Sequence, residues 1–239
     1  MRTNSSGESL VSRAIQAVRD HIRENDLKVG DPLPGEAHFA DVGGVSRAVI
    51  REAFGALAAL KLIDVANGRR ARVGAMHGSV MAAGLEHAVT TGQVTLANVW
   101  DVRRTLELRT AELAAEQRTD AEADEIVAHA EAMMAAEDDM EEVARHDLAL
   151  HAAIASATHN ALFIQVVRSF TPLLEAAVPA AWKTRETAAS RSTMLRHHRA
   201  LAQAIADKDP VEARRLMNAH FDASIIDKAD GEKHPIATA

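Results

Sequence analysis

Helical spacing of apolar residues covers most of this 239-residue chain, and one pair of short β-like runs interrupts it. The two runs lie in LIDVANGRRARVG, on either side of Asn67-Gly68, a dipeptide suited to a tight hairpin turn. Before them, the pattern predicts helices at about 10–25, 35–41 and 46–60. Three helices followed by a hairpin is the order of a winged helix-turn-helix. We therefore expect a mostly α protein with this small unit at its N-terminus.

Beyond about residue 78 the pattern is helical with almost no strand signal. The segment TLANVWDVRRTLELRTAELAAEQ predicts one long helix, and TDAE at 119–122 is a capping box that opens the next. Further helices are expected to carry HDLALH, to run from 161 to about 179, to span 190–208, and to begin at the N-cap of DPVE. We predict a winged helix-turn-helix at 1–76, an all-α antiparallel helical bundle at 77–228 and a disordered tail at 229–239.

Length and residue usage narrow the class of protein. At 239 residues the chain has room for two domains with buried cores. It has no apolar run near the roughly 18 residues of a membrane span, and its first residues, MRTNSSGESL, lack the apolar stretch of a signal peptide. Cysteine is absent, so nitrogen and oxygen atoms must hold any metal. We expect a cytoplasmic protein without membrane association.

Basic residues concentrate in the predicted winged helix, although the net charge of the chain is −7. Residues 1–76 carry 11 Lys and Arg against 9 Asp and Glu, and the rest carries 16 against 25. Arg47 and Arg51 occupy the first turns of the third helix, the end that lies near base edges in this motif. Arg69 and Arg70 follow the predicted hairpin turn. Their coincidence favours DNA binding over the alternative that these arginines only solvate a surface.

The run GDPLPGEAHFADVGGVSRAVIREAFGALAALKLIDVANGRRARV resembles the winged helix of GntR-type regulators. The resemblance covers about residues 10–75. It implies that DNA is read by Ser46, Arg47 and Arg51, and by the wing residues Gly68, Arg69 and Arg70. One position departs from the family pattern, because Ala37 stands where members usually carry an arginine.

Four residues of the second half form a candidate metal site. Asp147 and His151 are four residues apart, so a helix places them on one face, although such a pair is also common on a solvated surface. His198 and His220 lie equally far on either side of Asp209, the N-cap of the last helix, so an antiparallel hairpin would set them side by side. One carboxylate and three imidazoles suit zinc, nickel or another divalent first-row metal.

The neighbouring His197 points in another helical direction and is expected not to bind the metal. The segments VRRTLELRTAELAAE, HDLALHAAIASATHN and HHRALAQAIADKDPVEARRLMNAH are similar to the FCD effector domain of the FadR subfamily of GntR regulators. The resemblance implies a divalent metal, most often zinc, on the four residues above, and a small carboxylate effector that contacts Arg103 and Asn160. Two alternatives stay open: Asn160 could be a helix cap, and Arg103 could pair with Glu107.

These features predict a ligand-responsive transcription regulator, a repressor rather than an activator, that binds operator DNA as a homodimer. The expected effector is a small organic or sugar acid. A metalloenzyme is a second hypothesis, since the same ligands with open metal positions serve catalysis, but the sequence around HDLALH offers no obvious general base. A third hypothesis, a winged helix that binds only protein, is disfavoured by the basic residues.

Overall fold

The structure is a computed structural model that describes residues 9–66, 68–183, 185 and 187–231, with side chains as far as residue 223. It divides into two compact units, Met1–Val80 and Met81–Ala239. Eleven α-helices and one two-stranded sheet account for the regular structure of the described residues. The mostly α fold with an N-terminal winged helix, predicted from helical periodicity and a single hairpin, is confirmed.

Three helices and a hairpin build the N-terminal unit. Its elements are α1 (Leu10–Glu24), α2 (Glu36–Gly43), α3 (Arg47–Ala59), β1 (Ile63–Asp64) and β2 (Arg72–Val73). Ser46 begins α3 as its N-cap, because its hydroxyl oxygen accepts the otherwise unbonded backbone N–H of Val49. The buried core includes Val18, Leu33, Phe39, Ile50, Phe54, Leu57 and Ile63. This core holds α3 with the side chains of Arg47 and Arg51 exposed.

The hairpin consists of two strands of two residues each. β1 and β2 pair in antiparallel register, with Ile63 opposite Val73, and Pro32 adds an isolated bridge to Arg72. Gly68 has a φ of +73°, in the left-handed region that glycine adopts without steric cost. This conformation explains the glycine of the predicted turn. Asn67, the other residue of that turn, lies outside the described residues.

Long helices build the second unit. Its elements, with α4 beginning just before the boundary, are α4 (Gly78–Thr90), α5 (Leu96–Gln117), α6 (Asp120–Ala135), α7 (Met140–Ser156), α8 (Ala161–Ser169), α9 (Thr171–Lys183), α10 (Ala188–Ala206) and α11 (Pro210–Gly231). α5 packs on α11 and α7, and α10 packs on both α6 and α11. Buried alanines recur at these contacts, among them Ala111, Ala114, Ala115, Ala130, Ala144 and Ala202. Because alanine is small, the helices that carry it can approach closely.

Local capping chemistry fixes where two of these helices begin. Thr119 and Glu122 form the predicted capping box, with each side chain accepting a hydrogen bond from the backbone N–H of the other residue. The carboxylate of Asp209 accepts the backbone N–H of Glu212 at 2.9 Å, and Pro210 is the first residue of α11. The turn between α10 and α11 is therefore where the sequence places it.

Two helix ends differ from the sequence prediction. The apolar segment after residue 160 is divided at Phe170 into α8 and α9, which are bent by 57°, and α9 continues past Pro179 to Lys183. Val178 and Trp182 are buried, so tertiary packing holds the turn that contains the proline. α11 ends at Gly231 rather than near residue 226, so residues 229–231 of the predicted tail are helical. Residues 232–239 lie outside the described part of the chain.

No single helix among the described residues is long and apolar enough to cross a membrane. The bent pair α8 and α9 meets that criterion only when both helices are taken together.

Candidate metal centre

The structure brings the three candidate histidines together in the second unit. His151 lies on α7, His198 on α10 and His220 on α11, and all three are buried. One potential ligand nitrogen of each imidazole lies within 4.8 Å of the other two. The ring centroids of His198 and His220 are 4.5 Å apart, which places these residues side by side across the α10–α11 hairpin. Asp147 is also buried and lies one turn before His151 on α7.

The Nε2 atoms of His151 and His198 both lie near the carboxylate of Asp147. Nε2 of His151 lies 3.3 Å from Oδ1 of Asp147, and Nε2 of His198 lies 3.2 Å from the same oxygen. The opposite nitrogen of each ring has a different neighbour. Nδ1 of His198 lies 2.9 Å from the carbonyl oxygen of Met194, and Nδ1 of His151 contacts Oε2 of Glu107. Because carbonyl and carboxylate oxygens attract N–H groups, each Nδ1 would keep its proton when the Nε2 of the same ring binds a metal.

Asp147 has a second partner that orients its carboxylate. The indole N–H of Trp182 donates a hydrogen bond of 2.9 Å to Oδ2 of Asp147, which leaves Oδ1 facing the histidines. Trp182 belongs to the last turn of α9, and its ring centroid lies 6.0 Å from that of His198. Sequence reasoning missed this contact, because no motif links residue 182 to α7.

Burial and charge together set the protonation of the cluster. Burial raises the pKa of Glu107, but the charges of Arg103 and His151 outweigh it and lower that pKa to about 2. Burial lowers the pKa of His151, yet the charge of Glu107 and the hydrogen bond to Asp147 raise it to about 9. Burial and the neighbouring charges of His198 and His151 hold the pKa of His220 well below its usual range.

This donor set fits a divalent metal ion. Three buried imidazoles lie within reach of one another, and the buried carboxylate of Asp147 lies 3.3 Å and 3.2 Å from two of them. Such groups are costly to bury without a shared cationic partner or protonation. Imidazole nitrogens and a carboxylate oxygen are ligands that zinc, nickel and related ions prefer. His197, which was expected to lie outside the site, is only partly buried and does not belong to this group of histidines.

Arg103 lies on α5 as a buried cation next to the cluster. Its Nε donates a hydrogen bond of 2.7 Å to Oε1 of Glu107, which is the pairing that the sequence left open. Its guanidinium carbon also lies 4.8 Å from the centroid of Trp100 and 5.6 Å from that of Phe221. Its two terminal nitrogens make no hydrogen bond to any residue that the structure describes. A buried guanidinium with two spare donor groups is suited to a carboxylate.

The side chain of Asn160 contacts the start of α8 rather than the histidine cluster. Its side chain is exposed, and its oxygen accepts hydrogen bonds from the backbone N–H groups of Leu162 at 3.0 Å and Phe163 at 3.4 Å. It is the N-cap of α8. These contacts correspond to the helix-cap alternative from the sequence, and contact with an effector stays a prediction.

The DNA-binding candidates lie in the first unit. Arg47 and Arg51 project from the first two turns of α3 and are exposed. Arg51 has one weak partner, since its Nη2 lies 3.5 Å from Oε2 of Glu36 while 74% of its side chain is accessible. The remaining candidates are the N-cap and three residues of the hairpin, all of them exposed: Ser46, Gly68, Arg69 and Arg70.

Comparison with known proteins identifies two families along the chain. Residues 10–73 match the bacterial regulatory proteins of the gntR family, and residues 98–223 match the FCD domain. The two resemblances inferred from the sequence motifs are therefore confirmed.

Curated relatives with this organisation are transcription regulators. The Glc operon transcriptional activator of Escherichia coli K12 is 34% identical over 164 residues, which cover 66% of this chain and 65% of the activator. This chain thus spans 65% of that relative's length. The HTH-type transcriptional regulator LutR of Bacillus subtilis is 28% identical over 84% of this chain and 92% of its own. The HTH-type transcriptional repressor NanR of Cronobacter sakazakii is 26% identical over 84% and 78%.

A solved structure with the same architecture is that of Streptococcus agalactiae GntR. It superimposes with a TM-score of 0.63 at 23% sequence identity, and the match covers 92% of this chain and 99% of that one. At this identity the likeness concerns the fold. The named relatives act as regulators and not as enzymes, which favours the regulator hypothesis over the metalloenzyme.

Proposed function

Because this chain belongs to the GntR family of bacterial regulatory proteins and carries an FCD domain, we propose that it is a DNA-binding transcription regulator controlled by a small organic or sugar acid. The winged helix would bind operator DNA and the helical bundle would bind the acid. Differential affinity of the acid for the DNA-bound and free states would then change operator occupancy.

Operator recognition falls to the exposed residues of α3 and the hairpin. Arg47 and Arg51 have guanidinium groups able to form paired hydrogen bonds with guanine in the major groove. Ser46 lies at the same end of α3, and Arg69 and Arg70 beside Gly68 would contact the DNA backbone. The excess of basic over acidic residues in this region supports such a role.

The metal site would consist of Asp147, His151, His198 and His220, with zinc as the first candidate and nickel or another first-row ion as alternatives. These residues lie on three helices. Trp182 orients the side chain of Asp147, and the carbonyl of Met194 orients that of His198. When bound, the ion would supply Lewis-acid attraction for the carboxylate and hydroxyl oxygens of an acid. The side chains themselves hold the lone pairs in place and exclude bulk water, since all four are buried.

Arg103 carries the proposal that the effector is an acid. Its side chain is 3% exposed, and its two terminal nitrogens make no hydrogen bond to a described residue. A ligand carboxylate would satisfy these donors and offset the cost of burying the charge. The neighbouring rings of Trp100 and Phe221 hold the guanidinium in one orientation.

We further propose a cytoplasmic homodimer that acts as a repressor. Two copies would present two winged helices to the two halves of an operator. The relatives include both a named repressor and a named activator, so the sign of regulation is tested together with the ligand.

The test is release from DNA. Genomic fragments retained by the protein are identified, and candidate hydroxy and sugar acids are titrated against the complex. We expect one acid to lower DNA affinity, and we expect Arg103→Ala to retain metal and DNA binding yet lose the response to that acid. An unaltered titration midpoint in Arg103→Ala would place the ligand elsewhere.

A further inference from the structure

The carboxylate of Glu107 joins the two parts of the proposed effector site. Its Oε1 accepts the hydrogen bond from Nε of Arg103 at 2.7 Å, and its Oε2 contacts Nδ1 of His151. The side chain of Glu107 is 1% exposed, and those of Arg103 and His151 are 3% and 5% exposed. One buried carboxylate therefore serves both the cation that would receive an acid and an imidazole that would hold the metal.

We propose that Glu107 is a positioning residue for the metal ligand His151, and that Arg103 competes with His151 for its charge, so that an acid engaging Arg103 strengthens metal binding. This inference rests on the proposed function. It assigns the coupling between the two parts of the site to one side chain.

The first step of the argument concerns the imidazole of His151. A carboxylate in contact with Nδ1 favours the proton on that nitrogen, leaves Nε2, which lies 3.3 Å from Oδ1 of Asp147, available to a metal, and increases the basicity of Nε2. His198 differs, because its Nδ1 faces the neutral carbonyl of Met194. Of His151 and His198, only His151 has a charged side chain, Glu107, at its Nδ1. Glu107 also pairs with Arg103, so the strength of His151 as a metal ligand depends on a shared charge.

The second step concerns the competition between Arg103 and His151 for the negative charge of Glu107. Glu107 has one oxygen toward each of them, and the positive charge of Arg103 withdraws electron density that would otherwise polarise His151. A ligand carboxylate on the terminal nitrogens of Arg103 offsets that positive charge. More of the negative charge of Glu107 then acts on His151. Since coupling between two ligands is reciprocal, bound metal would strengthen binding of the acid by the same factor.

The competition makes opposite predictions for the two members of the ion pair. Removing the charge of Glu107 should weaken metal binding, whereas removing the charge of Arg103 should strengthen it. If the Arg103–Glu107 pair served only to hold α5 in place, both substitutions would loosen the site and weaken metal binding alike.

The experiment is a zinc titration of the metal-free full-length protein against a competing chelator. We expect Glu107→Gln to lower zinc affinity about 10–100-fold, the range for residues that orient a ligating histidine, and Arg103→Gln to bind zinc more tightly than the wild type. Glu107→Asp, which keeps the charge, should recover part of the loss. The matched control is Glu116→Gln, on the same helix, because the exposed side chain of Glu116 lies 3.9 Å from Arg109.

Wild-type zinc affinity in Glu107→Gln, or equal weakening in Glu107→Gln and Arg103→Gln, would overturn the inference. His198→Ala separates this result from failure of the proposed site. If His198→Ala loses zinc while Glu107→Gln keeps wild-type affinity, the metal site stands and only the coupling is wrong. If His198→Ala also binds zinc as the wild type does, the metal site itself is wrong. Circular dichroism of each metal-free variant checks that it is folded.

Discussion

At the scale of single residues, Asp147 occupies the centre of the candidate site because its two oxygens have different partners. Oδ2 accepts the indole N–H of Trp182, and Oδ1 faces the Nε2 atoms of His151 and His198. A carboxylate held in this way keeps one oxygen directed at the imidazoles without rotating. The neutral Trp182 contacts the proposed ligand Asp147, and the charged Glu107 contacts the proposed ligand His151.

The proximity of the candidate ligand residues could be predicted from the sequence, and the contacts that orient their side chains could not. Helical spacing relates Asp147 to His151, and distance from a capped turn relates His198 to His220. Both rules act within one helix or one hairpin. Glu107 reaches His151 from α5 and Trp182 reaches Asp147 from α9, so these contacts depend on how separate helices pack, which no local spacing specifies.

Substitutions should distinguish residues that recognise the operator sequence from residues that only add positive charge. We predict that Arg47→Ala or Arg51→Ala removes specific operator binding, because each loses a guanidinium whose paired contact to a base is worth about 1–3 kcal/mol. The measurement is DNA affinity for a retained fragment and for a scrambled duplex. Arg13→Ala, an exposed substitution on α1, is the matched control. Wild-type operator affinity in both α3 variants would contradict the assignment.

At the scale of helices, the candidate ligands link elements that are distant along the chain. α7 contributes Asp147 and His151, and the hairpin of α10 and α11 contributes His198 and His220. The hairpin could be predicted from DPVE, because an N-cap and a proline at the first helical position mark a helix start. The continuation of α9 past Pro179 could not, because it depends on the burial of Val178 and Trp182 against other helices.

Metal binding should therefore stabilise the fold. We predict about one divalent ion per chain and a higher thermal midpoint with metal, because an ion bound only by the folded state shifts the equilibrium toward it. The variant His198→Ala, His220→Ala should bind no ion at this site and show no shift in midpoint on adding zinc.

His197→Ala is the matched control for this experiment, since His197 neighbours His198 on α10 without joining the histidine cluster. It should bind metal and be stabilised as the wild type is. If His197→Ala loses the ion, the ligand on α10 has been assigned to the wrong histidine.

At the scale of the whole molecule, charge is distributed according to the two proposed tasks. The first 76 residues carry a small basic excess, and the remainder is acidic by nine charges, 16 basic against 25 acidic residues. An acidic surface disfavours non-specific contact with DNA, so the basic residues of α3 and the hairpin can determine where the nucleic acid binds. The charge difference between the two parts of the chain could be predicted from composition, because it does not depend on which side chains are in contact.

The buried cluster should also give the metal-free protein a stability maximum near pH 6.5. The folded pKa of His151 is about 9 against an ordinary 6.5, so its stabilising charge is fully present below pH 6.5 and is lost as pH rises through 9. The folded pKa of His220 lies well below 6.5, so the unfolded chain binds a proton there first, and stability falls as pH drops below 6.5.

The folded pKa of Glu107 is about 2 against an ordinary 4.5, which removes further stability as pH falls from 4.5 toward 2. Thermal unfolding of chelator-treated protein from about pH 2 to about pH 10 measures the combined profile. His151→Gln should abolish the alkaline decline, and so should saturating zinc, because the metal would replace the Nε2 proton that is otherwise lost as pH rises. A wild-type midpoint that keeps rising up to pH 9 without metal would mean that His151 and Glu107 are not paired in solution.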